Sequence, residues 1–186
     1  MTASRVDPRT SAVRLRRWHP DDAPAALRVY GGSAAHQVRD VVDMRARLVR
    51  WNADQHSPYL GHWALLRRGE STPVGGAALL PLPPGDEDLG ITWQFGHDGD
   101  GGAHGDLDDR DDLAAECVHA LADWAFAHGA DEVFAVVADG VAEPPAVRRN
   151  GMSWVGETTK YFGRKTQVYR LRVADLDPGA ADSVRV

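Results

Sequence analysis

Glu87 and Asp88 close a short acidic turn, Gly85-Asp86-Glu87-Asp88, at the head of an apolar run that ends in Trp93-Gln94-Phe95. In an extended chain Asp88 shares a face with Gly90, two residues on, so its carboxylate is a candidate proton acceptor or anchor for a cationic group, with Glu87 beside it as a substrate contact. A second chemistry-bearing tract follows. Between Asp98 and Asp112 lie seven aspartates against the single Arg110, which places the whole net charge of −6 in one segment. Such a tract either binds a cation or caps a helix. Asp98, Asp100, Asp106 and Asp109 have part of the spacing of a calcium loop, but Ala103 stands where that loop needs glycine, an aspartate stands at its last position, and no helix precedes it. His97 and His104 fall in the same tract and read as solvated loop histidines, so no metal site is expected. Asp109, Asp111 and Asp112 suit the first turn of a helix equally well.

The elements that must position these groups are legible from periodicity. Val13–Trp18 alternates as a strand, His19-Pro20-Asp21-Asp22 turns into a helix over Ala23–Tyr30, and Val38–Trp51 repeats at helical spacing. His62–Leu66 and Val74–Leu82 form an antiparallel hairpin, and Leu89–Phe95 is the next strand. Gly96–Asp112 is too polar to order itself easily and reads as a protruding loop. Leu113, Cys117, Ala120, Leu121, Trp124 and Ala125 trace the stripe of a helix on a sheet, with Gly129 placed to end it. A buried strand at Val133–Val137, a short helix within Ala142–Asn150 and a hairpin of Met152–Val155 with Thr166–Leu171 complete the order. The expected fold is therefore α/β (α+β), a mixed, mostly antiparallel sheet of about seven strands flanked by helices.

Composition narrows the function. A chain of 186 residues suits one domain, with a flexible arm over 1–12, the domain at 13–176 and a tail at 177–186. The single Cys117 excludes an internal disulfide framework and a cysteine-based zinc cluster, and fits a reducing cytoplasm. No basic stripe could release counterions from nucleic acid, and neither a signal-length apolar segment nor a basic amphipathic helix points to a membrane.

The order β-α-α-β-β-β-α-β-α-β-β, with the strings GHWALLRR (61–68), VGGAALLPLPP (74–84), ITWQF (91–95), ALADWAFAHGADEVFAVV (120–137) and RRNGMSWVGETTKYFGRKTQVYRLRVADL (148–176), resembles the GNAT superfamily of N-acetyltransferases, in particular the branch that includes ribosomal-protein N-acetyltransferases. The resemblance implies an acetyl-CoA donor and an amine acceptor, either a small molecule or a protein N-terminus, and it admits a homodimer. It implies that Trp93, Gln94 and Phe95 lie on a splayed strand that holds the pantetheine arm. Gly99, Gly101 and Ala103 reproduce part of the family's pyrophosphate loop in one placement; a second placement, aligned back from Ala114-Ala115-Glu116, puts Asp109-Arg110-Asp111-Asp112 where its glycines belong; and Tyr161 at a hairpin tip faces the substrate groove. The chain departs from the pattern where Asp98 replaces a Gln or Arg, where Gly90 aligns with the family's glutamate base, where Val147 aligns with its tyrosine acid, and where Asp139-Gly140-Val141 replaces an asparagine. A local charge of −6 around a phosphate-bearing donor predicts repulsion. Two readings follow: an acyl-CoA-dependent N-acyltransferase that works without a strong base, or a protein of the same fold that has lost acyl-CoA binding and serves as a binding or regulatory module or does other chemistry in the same cleft.

Overall fold

In the first strand, Val13 and Leu15 alternate with Arg14 and Arg16, and the period of two buries the apolar pair on one sheet face while Arg14 stays exposed. The computed structural model describes residues 7–31, 37–54, 57–96 and 107–176. Its strands are β1 (Val13–Arg17), β2 (Gly61–Arg67), β3 (Gly75–Pro81), β4 (Leu89–Phe95), β5 (Glu132–Ala138), β6 (Ser153–Thr158) and β7 (Thr166–Arg172). Its helices are α1 (Ala23–Tyr30), α2 (Val41–Ala53), α3 (Leu107–Ala127) and α4 (Pro145–Arg149). The strands form one seven-stranded sheet in the order β1-β2-β3-β4-β5-β7-β6. Every neighbouring pair is antiparallel except β4 with β5. The expected α/β architecture is what the chain adopts, and no helix among the described residues is long and apolar enough to cross a membrane.

Both sheet faces are covered, and two side-chain parities decide by what. Val13, Leu15, Trp63, Leu65, Ala77, Leu79 and Ile91 face α3, where Leu121 is fully buried and Trp124 meets the Trp63 ring edge-on at 5.9 Å. On the opposite face, Ala64 and Leu66 pack with Trp18, Tyr30, Met44 and Leu48 under α1 and α2. A third cluster of Leu82, Phe134, Tyr161 and Val168 fills the C-terminal half of the sheet. Asp40 caps α2 by accepting the Asp43 N–H at 2.8 Å. Gly61 opens β2 at φ +133°, and an added Cβ would collide with the Arg17 guanidinium, which lies over the Trp63 ring and donates to the Pro58 and Leu60 carbonyls.

The largest boundary difference from the sequence expectation is at α3; α2 (Val41–Ala53) and β6 (Ser153–Thr158) are displaced by up to three residues. Helix α3 begins at Leu107, so Leu107–Asp112, expected as loop, is helical. The reason is electrostatic. Asp108 and Asp109 sit in the first turn, where carboxylates stabilise the positive end of the helix dipole. Asp109 is held by Arg67 of β2 and Asp112 by Arg149 of α4, so like-charge repulsion no longer opposes the helix. The rest of the acidic tract, with His97, Gly99, Gly101, Ala103 and His104, lies outside the described residues.

Candidate functional site

The parallel pair β4–β5 is joined at a single register position, Gly90 opposite Phe134. Each strand has seven residues, and on its other side each is paired along its full length, β4 with β3 and β5 with β7. Past Gly90 the two strands part, which leaves the β5-facing main chain of Ile91–Phe95 without ladder partners. Unpaired backbone N–H and C=O groups on a strand edge are obligatory hydrogen-bonding groups, and an extended amide-bearing ligand can satisfy them. The side chains beside the opening have other work. Trp93 and Phe95 are half-buried against the α3-side core, and the Gln94 amide donates to the Val29 carbonyl of α1 at 2.8 Å. Gln94 therefore fixes α1 to the open strand, and what this strand offers a ligand is main chain.

At the far end of β4 the chain meets the N-terminus of α3, whose free N–H groups favour an anion. The recess next to it is walled by Ala25, Arg28, Arg67, Phe95, Gly96 and Arg110, three of them cationic. Hydrogen bonding to the Arg67 guanidinium holds Asp109 below the usual carboxylate range and raises Arg67 in turn. The repulsion expected from the acidic tract is thus reduced over its helical part, where Asp109 and Asp112 are both ion-paired. Asn150 completes the junction, donating to the Ala115 carbonyl at 3.0 Å and so tying α4 to α3.

At the other end of β4, Asp88 and Tyr161 come together as the sequence allowed, with a third member that periodicity did not reveal. Asp88 Oδ2 accepts from Lys160 Nζ at 2.6 Å and from the Tyr161 hydroxyl at 2.7 Å, while Oδ1 has no hydrogen-bond partner among the described residues. The Tyr161 ring is buried against Leu82, Phe134 and Val168, and its hydroxyl is held on Asp88. Hydrogen bonds from Lys160 and then Tyr161 hold the Asp88 carboxyl below its ordinary range, and burial, followed by the bond to Asp88, pushes the Tyr161 phenol up. A general base needs a pKa near the working pH, and Asp88 is shifted the wrong way. It is a fixed anion. Glu87 is exposed and makes no hydrogen bond or ion pair among the described residues.

The sign of the Asp88 shift sets a pH dependence. Its folded pKa is depressed, so the stability it contributes is present above the ordinary carboxylate pKa of about 3.9 and is lost as pH falls through the lower folded value. Replacing Lys160 by alanine removes the largest cause of the shift. The Asp88 carboxyl, followed by carbon-13 NMR, then titrates closer to about 3.9 than in the parent. An unchanged titration would show that the contact does not hold in solution.

The positions that the resemblance aligned with a base and an acid are occupied by packing. A Cβ on Gly90 would stand 2.5 Å from the Leu82 Cδ2, so a longer side chain there must displace Leu82. Val147 is fully buried in the α3-side core. Lys160, Arg67 and Arg149 were missed because their partners lie 72, 42 and 37 residues away in sequence, where no local spacing signals a pair.

Solved structures match this architecture closely. A GNAT-family acetyltransferase from Bacillus anthracis superposes with a TM-score of 0.63 at 14% identity, covering 90% of this chain and 98% of its own. RimL, a ribosomal α-N-protein acetyltransferase in complex with coenzyme A, gives 0.63 at 14% identity over 91% and 98% of the two chains. FdhC, a nucleotide-linked sugar GNAT in its apo form, gives 0.67 at 12% identity over 92% of each. No family model and no curated protein matches the sequence. The chain has the GNAT fold, with sequence identity too low to carry more than the fold.

Proposed function

We propose that this protein is an acyl-CoA-dependent N-acyltransferase, using acetyl-CoA, that acts on an amine of a small molecule or of a protein N-terminus. The observation that carries the reading is the single-residue junction of β4 with β5 at Gly90 and Phe134, which frees the main chain of Ile91–Phe95 on that side. Two features support the donor: open-strand main chain for its amide-bearing arm, and the α3 N-terminus, with Arg28 and Arg110 beside it and Arg67 holding Asp109, for its phosphates. When bound, acyl-CoA supplies an activated acyl thioester. Asp88 Oδ1, at the opposite end of β4, holds and orients the acceptor amine by accepting its N–H, and Lys160 and Tyr161 lock the carboxylate in place. Backbone donors of β4 offer polarisation of a reacting carbonyl.

With Gly90 packed by Leu82 and Asp88 held as an anion, the described residues around β4 bring no strong base, so water removes the proton from the ammonium. The pH profile reads this directly. For a peptide N-terminus, kcat/KM rises with pH through the amine's own pKa, about 7.7 to 8.0, with no second ionisation near neutrality. Replacing Asp88 by asparagine raises KM for the amine more than it lowers kcat. A profile governed by a group of pKa about 6 to 7 would contradict the base-free account.

A second reading is favoured by the same packing. Leu82 over Gly90 and the buried Val147 leave the aligned base and acid positions without a titratable group, as a protein of this fold that has lost acyl-CoA chemistry and whose cleft serves as a binding or regulatory module would. Thiol release from acetyl-CoA in the presence of a panel of amines separates the two, since the second reading gives none.

A further inference from the structure

On the edge of the sheet away from β5, the register gathers cations that make no ion pair among the described residues. Arg9 forms an isolated antiparallel bridge with Arg14, so these two guanidinium-bearing residues stand directly opposite each other. Arg14 in turn faces Leu66 of β2, and Arg68 lies two residues further along that strand direction, which returns it to the same sheet face. Arg9, Arg14 and Arg68 are exposed, and none of them makes an ion pair among the described residues. Like charges placed opposite each other across a ladder destabilise it, so this arrangement carries a cost that nothing within the described chain offsets. Of the neighbouring carboxylates, Asp22 is bonded to Arg16 at 2.6 Å, while Glu70 lines the same groove and approaches Arg67 at 4.0 Å. Asp7 lies near enough to Arg16 to raise it.

The three arginines line one open groove of about 660 Å³, together with Thr10, Arg67, Gly69, Ser71 and the carboxylate-bearing Glu70, so the groove carries four cations against one anion. Thr10 Oγ1 accepts from the Ala12 and Val13 N–H groups at 3.2 Å, and its own O–H remains available to donate. The Arg68 N–H is bonded to the Ala12 carbonyl at 2.8 Å, which fixes the loop that carries Ser71. The groove therefore presents three guanidinium forks and hydroxyl donors on a protein whose net charge is −6. Non-specific attraction of anions by overall charge is ruled out, and a local site remains.

We infer that this groove is a binding site for a small phosphate-bearing ligand, separate from the β4–β5 opening. Three guanidinium groups match a diphosphate in charge, and their paired N–H donors match the spacing of phosphate oxygens. A run of carboxylates along an acidic peptide would need an extended line of cations, whereas these three line one short groove.

The test uses the full chain and inorganic pyrophosphate as probe, with residue-by-residue mapping to separate this groove from the recess beside α3. Titration followed by amide NMR should show saturable shifts at Thr10, Arg14, Arg68 and Ser71, with affinity falling as salt rises. Arg14→Gln with Arg68→Gln should weaken binding at least tenfold. Arg14→Lys with Arg68→Lys, which keeps the charge and loses the forks, should fall between that variant and the parent. Thermal unfolding of each variant checks that it is folded, and the lysine variant keeps the comparison open if the glutamine one is not. Absence of shifts in the millimolar range, shifts that map elsewhere, or equal binding by all three proteins would overturn the proposal. Preferential binding of an oligo-aspartate peptide over pyrophosphate would also overturn it, in favour of an acidic protein partner.

Discussion

Replacing Trp63 by alanine lowers the free energy of unfolding by about 3 to 5 kcal/mol, the cost of truncating a large buried aromatic. Trp63 is 2% exposed in β2, between Arg17 of β1 and Ala77 of β3 in register. Its ring carries the Arg17 guanidinium on one face at 3.6 Å and meets the edge of Trp124 at 5.9 Å. Losing it therefore opens a cavity and releases Arg17, which also holds the Pro58 and Leu60 carbonyls. A compensating factor sets the expectation toward the lower half of that range. The Trp63 Nε1 is buried with no hydrogen-bond partner among the described residues, so truncation also removes an unsatisfied donor. Phenylalanine at the same position keeps an aromatic face for Arg17 and loses that donor, and should cost less than about 1.5 kcal/mol. Chemical denaturation of the two variants checks both values; a loss below 1 kcal/mol for alanine, against the roughly 3 to 5 expected, would show that the packing around this ring is looser than described.

The second large effect concerns binding. Replacing Arg67 by alanine leaves Asp109 as an unpaired carboxylate in the first turn of α3. A carboxylate within a few ångströms of a phosphate costs on the order of 1 to 4 kcal/mol in partly solvated surroundings, and about 1.4 kcal/mol is tenfold in affinity. Acetyl-CoA should bind the variant at least tenfold more weakly, and adding Asp109→Asn should return most of the loss. If the double variant is not restored, Arg67 acts on the donor itself. If the single variant is unaffected, the pair lies away from the donor's path.

Much of the fold could be read from the residues because strand and helix periods were strong where packing is strong. The Val13–Leu15 alternation and the Leu113 to Ala125 stripe both lead to fully packed faces in the structure. The start of α3 was misplaced for a definite reason. Sequence shows the charges of Asp109 and Asp112 but not Arg67 and Arg149, which come from distant strands and helices to neutralise them. The same blindness applies to Asp88. Its position at the head of β4 was visible, and Tyr161 was a candidate for the same groove, yet their direct bond and the role of Lys160 depend on a hairpin folding back across the sheet. The departures at Gly90 and Val147 were plain in the sequence. Their consequence was not, since only the packing shows Leu82 filling the space over Gly90.

Calorimetric titration of the full chain with acetyl-CoA tests the central claim most directly. With Asp109 and Asp112 ion-paired and three arginines bordering the recess beside α3, the donor should bind at a single site with micromolar affinity, and more weakly as salt screens the attraction. No binding at millimolar acetyl-CoA, or an affinity that rises with salt, would contradict the acyltransferase account.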